Sequence, residues 1–524
     1  TGKVLGCSRC VGGGSVHYGA VCFRFRREDF RSRSFYGNLP GADIVDWPLT
    51  DAELDPANTE TSIWAYYRKV ERLLGVAGGD LATGNPDPSA EWRGNFFPNG
   101  DPYPMPGHPP NYGAKLFEDG ARKIGLNPFP TPVAINNGPY TYADPDHPAP
   151  SITRPGCSYC GFCSSHGCPI GAKGDTRVTA LALAVASGNC EIRADANALR
   201  VELANGLADR VVYLDADGVE QSVQAKVIVL ACSTIDTPRL VLLSDLPGDL
   251  VNHDVVGHYL MGHHFPGGIG FFSQRIDYYR GFWSMRCLDD FYLGEIVPGQ
   301  RMFGFGNIQT VGPSSGYGVL AGGIISTAKT LGWGRLHKGA MRQIFGHFQF
   351  LGMIGNDPPV KSNTVDLDPM VEDVYEQPAA RITYMHHPND YAVAALAIAE
   401  LERIFLAMGA ESFHVPAPVG PMFPFVATTA IPQGVPQGTL QRGAGRGMPN
   451  PIGGLVNHQM GTMRMGDDEA TSVVNASQAF HGIPNLYVAD ASVFPTSGGY
   501  NPTLTIQALA WRAADRILVE QFGP

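Results

Sequence analysis

The chain has 524 residues, 44% of them hydrophobic, and a formal net charge of −11 at pH 7. This length predicts two domains, or one large domain with an insertion. The acidic excess argues against a nucleic acid as partner, and no apolar window reaches the roughly 18 residues that a membrane helix needs. The sequence leaves an exported and a cytoplasmic location open, and we expect a chain that is soluble in itself.

The first notable element is the glycine run CVGGGSVHYGA, from Cys10 to Ala20. Glycines let the backbone approach a ligand closely, although most such runs are plain loops. The chain contains no strand–Gly-x-Gly-x-x-Gly–helix unit of the kind that binds dinucleotides. A separate chain, a disordered segment or a truncation would each explain this, and we favour a missing or disordered segment. The residues that usually bind the phosphate and ribose of a dinucleotide therefore cannot be named.

Further along the chain, periodic patterns predict helices and strands. The stretch from Ser62 to Val76 is helical in pattern. A turn separates two stretches of alternating apolar and polar residues, EIRADANALRVEL and RVVYLDADGVEQSVQAKVIVLAC. The alternation, together with the Asp-Gly turn in the second stretch, predicts a small hairpin or a three-stranded insert. AARITYMHH is the clearest strand of an expected antiparallel sheet. A helix should follow from about Asp390 to Met408, closed by Gly409.

The last seventy residues carry the densest signal. NHQMGTMRMG contains His458, and the strand IPNLYVADASV is apolar until it reaches Asp490. A buried parallel strand has this pattern when its carboxyl end meets a polar ligand. Pro502 suits the first turn of the apolar helix that follows, and Asn501 can cap it. The positive end of that helix should therefore point toward the ligand.

These motifs resemble the glucose–methanol–choline family of flavin oxidoreductases. The glycine run is similar to the family's flavin loop, VIVLACSTIDTPRLVLLS to its last adenine-side strand and helix, and VVGHYLMGHH to the segment entering its substrate domain. The resemblance covers most of the chain in the right order. The sequence around the cysteines most resembles that of the gluconate-dehydrogenase-like branch of sugar dehydrogenases.

The resemblance implies a mixed α/β fold. It predicts a Rossmann-like FAD-binding domain lacking its first βαβ in this chain, and a substrate domain whose antiparallel sheet is covered by helices. We expect FAD-binding parts at residues 1–40, 151–255 and 451–524, a cap or lid at 41–150, and the substrate-binding domain at 256–450.

The resemblance also assigns the site. His458 and Asn501 fall on the active-site pair, with His458 as the base and Asn501 positioning the substrate hydroxyl. A histidine suits the base role because its reference pKa lies near working pH; alone, it would more often be a core residue. The implied FAD contacts are Gly12, Gly13, Gly14, Ser15, His17, Val201, Asp490, Ala491, Asn501, Pro502 and Thr503.

His17 raises the question of a covalent bond to the flavin. Ser15-Val16-His17-Tyr18 is similar to a segment of the family's pyranose oxidases whose histidine is joined to the flavin. Many relatives place a noncovalent residue there, so both interpretations stay open.

Four cysteines, Cys157, Cys160, Cys163 and Cys168, form a Cys-x2-Cys-x2-Cys-x4-Cys-Pro run. Some dehydrogenase relatives carry a cysteine cluster here that binds a 3Fe-4S cluster, although the last gap differs from that of ferredoxin runs. Disulfides or a structural zinc site are the alternatives. A further Cys-x2-Cys pair beside the glycine run makes disulfides more credible.

The sequence thus predicts an FAD-dependent dehydrogenase that oxidises a hydroxyl of a sugar, polyol or related alcohol. An electron-transfer partner, either a cytochrome or a small subunit, is implied. The first alternative is an oxidase that makes hydrogen peroxide, and the second is a hydroxynitrile-lyase-like enzyme with a redox-silent flavin. A catalytically inert subunit is a third, against which the intact active-site pair argues.

Overall fold

The computed structural model describes residues 8–78, 102–145, 150–297, 300–312, 332–414 and 458–523. Its helices are α1 (Arg27–Phe30), α2 (Ser32–Tyr36), α3 (Ile63–Leu74), α4 (Tyr112–Lys123), α5 (Ala180–Ala186), α6 (Ser233–Leu243), α7 (Arg335–Ile344), α8 (Pro388–Met408) and α9 (Thr503–Phe522). Short 3-10 turns lie at Gly13–Val16, Thr176–Val178 and Ala491–Val493. No helix within these ranges is long and apolar enough to cross a bilayer.

The strands fall into one large sheet and several small ones. They are β1 (Phe129–Pro130), β2 (Tyr140–Tyr142), β3 (Ile152–Arg154), β4 (Asn197–Ala204), β5 (Leu207–Leu214), β6 (Glu220–Gln224), β7 (Ile228–Leu230), β8 (His263–His264), β9 (Gly267–Phe271), β10 (Arg286–Leu288), β11 (Glu295–Val297), β12 (Gln300–Arg301), β13 (Asn307–Val311), β14 (Phe348–Asn356), β15 (Thr364–Glu372), β16 (Pro378–Thr383), β17 (Ser412–His414) and β18 (Leu486–Val488).

The large sheet is antiparallel, in the order β1-β10-β13-β14-β9-β17, with β8 also paired to β14. Helix α8 packs on β9, on β14 and on α4. The two helices approach closely at Gly120, where a Cβ would lie 2.8 Å from the backbone nitrogen of Met408. The buried face between helices and sheet forms one apolar core. The predicted antiparallel sheet covered by helices is therefore confirmed.

A parallel pair, β7 and β18, forms the centre of the second core. Leu486, Tyr487 and Val488 pair with Ile228, Val229 and Leu230. Both strands are followed by polar segments at the same edge. Helix α6 starts directly after β7, and α9 packs on α3. The predicted buried parallel strand before Asp490 is confirmed, and parallel strands bring their carboxyl ends together.

Other sequence predictions have mixed outcomes. The three-stranded insert is confirmed as β4-β5-β6. The helix predicted from Ser62 runs from Ile63 to Leu74, and Ser62 caps it by accepting from the Ala65 N–H at 3.3 Å. The helix predicted from Asp390 begins two residues earlier and ends at Gly409, whose φ of 81° is left-handed.

Two expectations are wrong. The AARITYMHH stretch is not part of the large sheet: its strand β16 pairs only with β15 in an exposed two-stranded hairpin. Asn501 does not cap α9, which begins at Thr503 after Pro502 and has no side-chain cap. The Asn501 amide is held instead by two side chains outside the helix.

Candidate active site

The predicted pair does meet. The Asn501 Nδ2 atom lies 3.2 Å from the His458 Nε2 atom. His458 is placed by the strand-like segment after it, where Met460 exchanges two 2.9 Å backbone hydrogen bonds with Met261. Further on, the Met463 N–H donates to the Ser492 carbonyl at 2.8 Å. The segment is therefore clamped between the entry to the large sheet and the turn after β18.

Asn501 is placed by the tightly packed residues before it. A Cβ on Gly499 would lie 2.5 Å from the Gly306 Cα atom, so only glycine allows these two backbones to touch. The Tyr500 ring stacks between Phe23, at a centroid distance of 4.6 Å, and Tyr292, at 4.1 Å. This packing fixes the backbone from which the Asn501 side chain projects.

The sequence did not single out Gln309, which lies at the middle of β13. Its Nε2 group donates to Asn501 Oδ1 at 2.7 Å, which fixes the orientation of the Asn501 amide. Gln309 is fully buried, and within the described residues its Oε1 atom has no hydrogen-bond partner. No local signal reveals this role, because the strand NIQTV reads as an ordinary buried strand.

His263 is the second residue whose role the sequence hid. Its Nδ1 atom lies 2.9 Å from His458 Nδ1, and its Nε2 atom lies 2.7 Å from the Gly498 carbonyl oxygen. The His263-His264 pair stood out in the sequence, but without metal-site spacing it reads as structural. Its position in the segment that leads into the substrate domain was the available signal.

The surroundings keep both rings neutral. Although His458 is only partly buried as a residue, desolvation, with a smaller contribution from His263, lowers its pKa to about 3. Burial lowers the pKa of His263 to about 4, against the opposing charge of Asp357. A histidine that is unprotonated at neutral pH can accept a proton, so the site contains a free base.

A compact acidic cluster lies next to this pair. The His264, Asp357 and Asp390 side chains are buried, and their ligand atoms lie within 4.8 Å of one another. Asp357 accepts from the His264 backbone N–H at 2.7 Å, from His264 Nδ1 at 2.9 Å and from the Tyr384 hydroxyl. These donors satisfy Asp357, whereas Asp390 accepts from the His387 N–H at 2.8 Å through Oδ2 and has no partner for Oδ1 among the described residues. The cluster adjoins the histidine pair through His264, which follows His263 in the sequence.

Asp490 lies at the carboxyl edge of the parallel pair, as predicted. Its carboxylate accepts from the Ser233 N–H at 3.0 Å, the Thr237 hydroxyl at 2.5 Å and the Ser492 N–H at 2.8 Å. Desolvation raises its pKa. Asp490 therefore ties the start of α6 to the 3-10 turn that begins at Ala491. The backbone between β7 and α6 is exposed at this edge, which fits a polar ligand such as FAD.

The glycine run forms the 3-10 turn Gly13–Val16, which is preceded by Gly12 with a left-handed φ of 95°. The Ser15 hydroxyl donates to the Gly12 carbonyl at 2.6 Å and accepts from the Thr176 N–H at 3.1 Å. A Cβ on Gly13 would meet nothing within 4 Å, whereas one on Gly12 would lie 2.7 Å from the Arg177 side chain. The backbone of Gly13 and Gly14 is thus open to a ligand, and their contact with FAD stays a prediction.

Two other predicted FAD contacts, at His17 and Val201, each hydrogen-bond to a serine hydroxyl. The His17 ring is hydrogen-bonded to the Ser8 hydroxyl at 2.8 Å, so both FAD linkage modes stay open. Val201 is buried on β4, and its N–H donates to the Ser244 hydroxyl at 2.9 Å at the end of α6. Pro502 and Thr503 form the start of α9.

The cysteine run wraps around a buried lysine beside the glycine run. Lys173 Nζ donates to the Cys163 carbonyl at 2.6 Å and to the Tyr18 carbonyl at 3.2 Å. All four cysteines of the run are free thiols, and none belongs to a group of described residues that could share one metal ion. Burial and the neighbouring thiols raise the pKa of Cys163 to about 12, which disfavours the thiolate. The described contacts therefore support neither the zinc nor the iron–sulfur interpretation.

Comparisons with known proteins agree with this arrangement. Two family profiles, each described as GMC oxidoreductase, match residues 150–265 and 359–510. The chain is 30% identical to 6'''-hydroxyparomomycin C oxidase of Streptomyces lividus, covering 97% of this chain and 78% of that protein. It is 26% identical to the gluconate 2-dehydrogenase flavoprotein of Pantoea cypripedii, with the same coverage.

A solved structure shows the same fold. Pyridoxine 4-oxidase from Mesorbium loti superposes with a TM-score of 0.58 at 16% identity, over 97% of this chain and 84% of that one. Together with the family profiles and relatives, this establishes that the chain belongs to the GMC oxidoreductase family and is an FAD-dependent dehydrogenase or oxidase of CH–OH donors.

Proposed function

We propose that the protein oxidises a hydroxyl group of a sugar, polyol or related alcohol, with His458 as the base. The observation that carries this is the neutral His458 ring, whose Nε2 atom lies 3.2 Å from the Asn501 amide nitrogen. A base and a hydrogen-bond donor side by side are what an alcohol oxygen needs when it loses its proton.

A hydroxyl oxygen within hydrogen-bonding distance of both atoms would accept from Asn501 Nδ2 and donate its proton to His458 Nε2. Gln309 contributes by holding the Asn501 amide with its nitrogen toward the base. When bound, FAD supplies the acceptor for the hydride that leaves the alcohol carbon. The chain itself supplies the base, the orienting donor and the buried surroundings that keep the base unprotonated.

For the electron acceptor, we propose a dehydrogenase that passes electrons to a protein or quinone rather than to oxygen. Two relatives whose names describe sugar dehydrogenation support this: the gluconate 2-dehydrogenase flavoprotein and the fructose dehydrogenase large subunit of Gluconobacter japonicus, which is 26% identical. The name of the second implies a further subunit in that enzyme. The runner-up is an oxidase, supported by a relative of 30% identity that is named as one, the 6'''-hydroxyparomomycin C oxidase.

The test is the absorption spectrum of the FAD-loaded protein, recorded anaerobically before and after addition of single sugars and polyols. Bleaching of the flavin bands by at least one of them is expected. A bound flavin that none of them bleaches would overturn the proposal and favour the lyase alternative. The bleached protein is then exposed to oxygen or to an artificial electron acceptor. Rapid reoxidation by oxygen with formation of hydrogen peroxide would reverse the assignment in favour of the oxidase.

The 3Fe-4S cluster stays outside this proposal. It remains a prediction from the cysteine spacing, and iron and sulfide analysis of the purified protein decides it. Stoichiometric iron would give the dehydrogenase an electron acceptor within the chain. Iron-free protein with free thiols would mean that electrons pass from the flavin directly to a partner.

A further inference from the structure

The backbone carbonyl of Gly498 fixes the position of the first proton in the histidine pair. A carbonyl oxygen only accepts, so the His263 Nε2 atom, 2.7 Å away, must carry a hydrogen. The Gly498 carbonyl is itself well fixed. A Cβ at this residue would lie 2.9 Å from the Phe25 ring, and the Ser497 hydroxyl before it donates to Asn356.

The second proton position follows from the charge of His263. Burial lowers the pKa of this ring to about 4, so at neutral pH it carries a single hydrogen, which is on Nε2. Its Nδ1 atom is then a lone pair. Since this atom lies 2.9 Å from His458 Nδ1, His458 must be the donor and must carry its own hydrogen on Nδ1.

The third proton position completes the series of hydrogen bonds from Gly498 to Asn501. With its hydrogen on Nδ1, a neutral His458 has a lone pair on Nε2, and the Asn501 Nδ2 group donates to it at 3.2 Å. The Asn501 Oδ1 atom accepts from Gln309 at 2.7 Å, which agrees with this orientation of the amide. A single backbone carbonyl thus determines which nitrogen of His458 is basic.

We propose that His263 is a positioning residue that holds His458 in the tautomer with a basic Nε2 and shares the proton that His458 takes from the substrate. This rests on the proposed function. In the reaction, the O–H bond breaks and its proton binds His458 Nε2. FAD, when bound, would accept the hydrogen of the alcohol C–H bond with its electron pair as hydride. The proton on His458 Nδ1 can then move to His263 Nδ1, so that one positive charge is spread over two rings.

The chemistry explains why a neutral acceptor suits this position. A carboxylate beside His458 would favour the imidazolium and raise the pKa of the base, so that His458 would stay unprotonated over a narrower pH range. The carboxylate of Asp357, whose charge acts on His263, accepts from the His264 and Tyr384 donors. The charged or titratable groups that face the pair are therefore Asp357 and His264, on the side of His263, and the two rings themselves.

Three substitutions separate positioning from simple structural support. His263→Leu removes the acceptor, His263→Asn keeps an acceptor oxygen without a second basic ring, and His263→Asp introduces a carboxylate. The rate of anaerobic flavin reduction by the best substrate should fall about 100-fold in the Leu variant, with KM changed less than about threefold, and the Asn variant should recover most of the rate. The exposed His253, ten residues earlier in the chain, serves as control, and His253→Leu should react at the wild-type rate.

The pH profile gives the distinguishing readout. In the Asp variant the acid limb of kcat/KM should move upward by more than about one pH unit, because the new carboxylate raises the pKa of His458. Equal losses in the Leu and Asn variants, or an unmoved acid limb in the Asp variant, would overturn the proposal.

A measurement that needs no turnover keeps this result separate from that of the proposed function. Histidine-selective nitrogen-15 NMR of the resting FAD-loaded protein should show His458 with its hydrogen on Nδ1, assigned by the signal lost in His458→Asn. That hydrogen should move to Nε2 in part or fully in the Leu variant. A wild-type signal with the hydrogen on Nε2 would refute the inference even if alcohols bleach the flavin.

Discussion

Replacing Gln309 by leucine tests the contact that orients the Asn501 amide. The substitution removes the 2.7 Å hydrogen bond to Asn501 Oδ1 and frees the amide to rotate. A buried hydrogen bond contributes about 1–1.5 kcal/mol, so the correctly oriented amide should become about tenfold less populated. The rate of flavin reduction should fall by about the same factor, while the flavin spectrum stays unchanged.

The stability cost of this substitution should be small. An unpaired Asn501 oxygen costs about 1–3 kcal/mol, but the change also removes the Gln309 Oε1 atom, which is already buried without a partner in the described structure. The net loss should be about 1 kcal/mol, or about 1 °C in Tm for a chain of this length. Gln349 is the matched control: it is buried in the neighbouring strand β14 and donates only to backbone carbonyls.

The assay is stopped-flow flavin bleaching under anaerobic conditions, with Tm measured on the same preparations. Gln349→Leu should lower Tm without lowering the rate. The reasoning fails if Gln309→Leu reacts at the wild-type rate, or if the control loses as much activity as the test variant.

Three further outcomes are expected. His458→Asn should retain FAD, seen in its absorption spectrum, and should lose at least about 100-fold in the rate of flavin reduction; a fully active variant would exclude His458 as the base. Burial lowers the pKa of His263 from 6.5 to about 4, so on acidification the unfolded chain binds the proton first and the folded state loses stability as the pH falls below 6.5. This loss, about 1.4 kcal/mol per unit of pKa difference, should be smaller in melting curves of His263→Asn than in those of the wild type. Parallel pH dependences of Tm for the two proteins would contradict this. Gly499→Ala places a Cβ 2.5 Å from the Gly306 Cα atom and should cost about 1–3 kcal/mol, measured as a lower Tm; an unchanged Tm would show that the backbones can part.

Part of the site could be predicted because its signals are local. Whereas the roles of His458 and Asn501 were implied by the resemblance to the family, the apolar strand before Asp490 reads directly from neighbouring residues. The same holds for the three-stranded insert and for α8, whose cap and closing glycine are encoded within a few positions. Local chemistry of this kind needs no knowledge of the rest of the fold.

What escaped prediction depends on contacts between distant strands. Gln309 acts on Asn501 only because β13 lies inside the large sheet, between β10 and β14, and no pattern in NIQTV encodes that neighbour. His263 looked like a structural histidine because its partner is 195 positions away. Asn501 was expected to cap a helix, since an isolated sequence shows the nearest N–H groups and not the side chains that compete for the amide.

The anchoring of the histidine pair by the Gly498 carbonyl has a consequence for how this site can change over generations. Every amino acid carries a main-chain oxygen, so no point mutation at position 498 can delete the acceptor; it can only displace it. The side chains tolerated at position 498 are limited by steric contact, because an added Cβ would lie 2.9 Å from the Phe25 ring. They are not limited by the loss of a hydrogen-bonding group. Substitutions of the loop and strand residues around the pair therefore leave this acceptor in place as long as they do not displace the backbone at position 498.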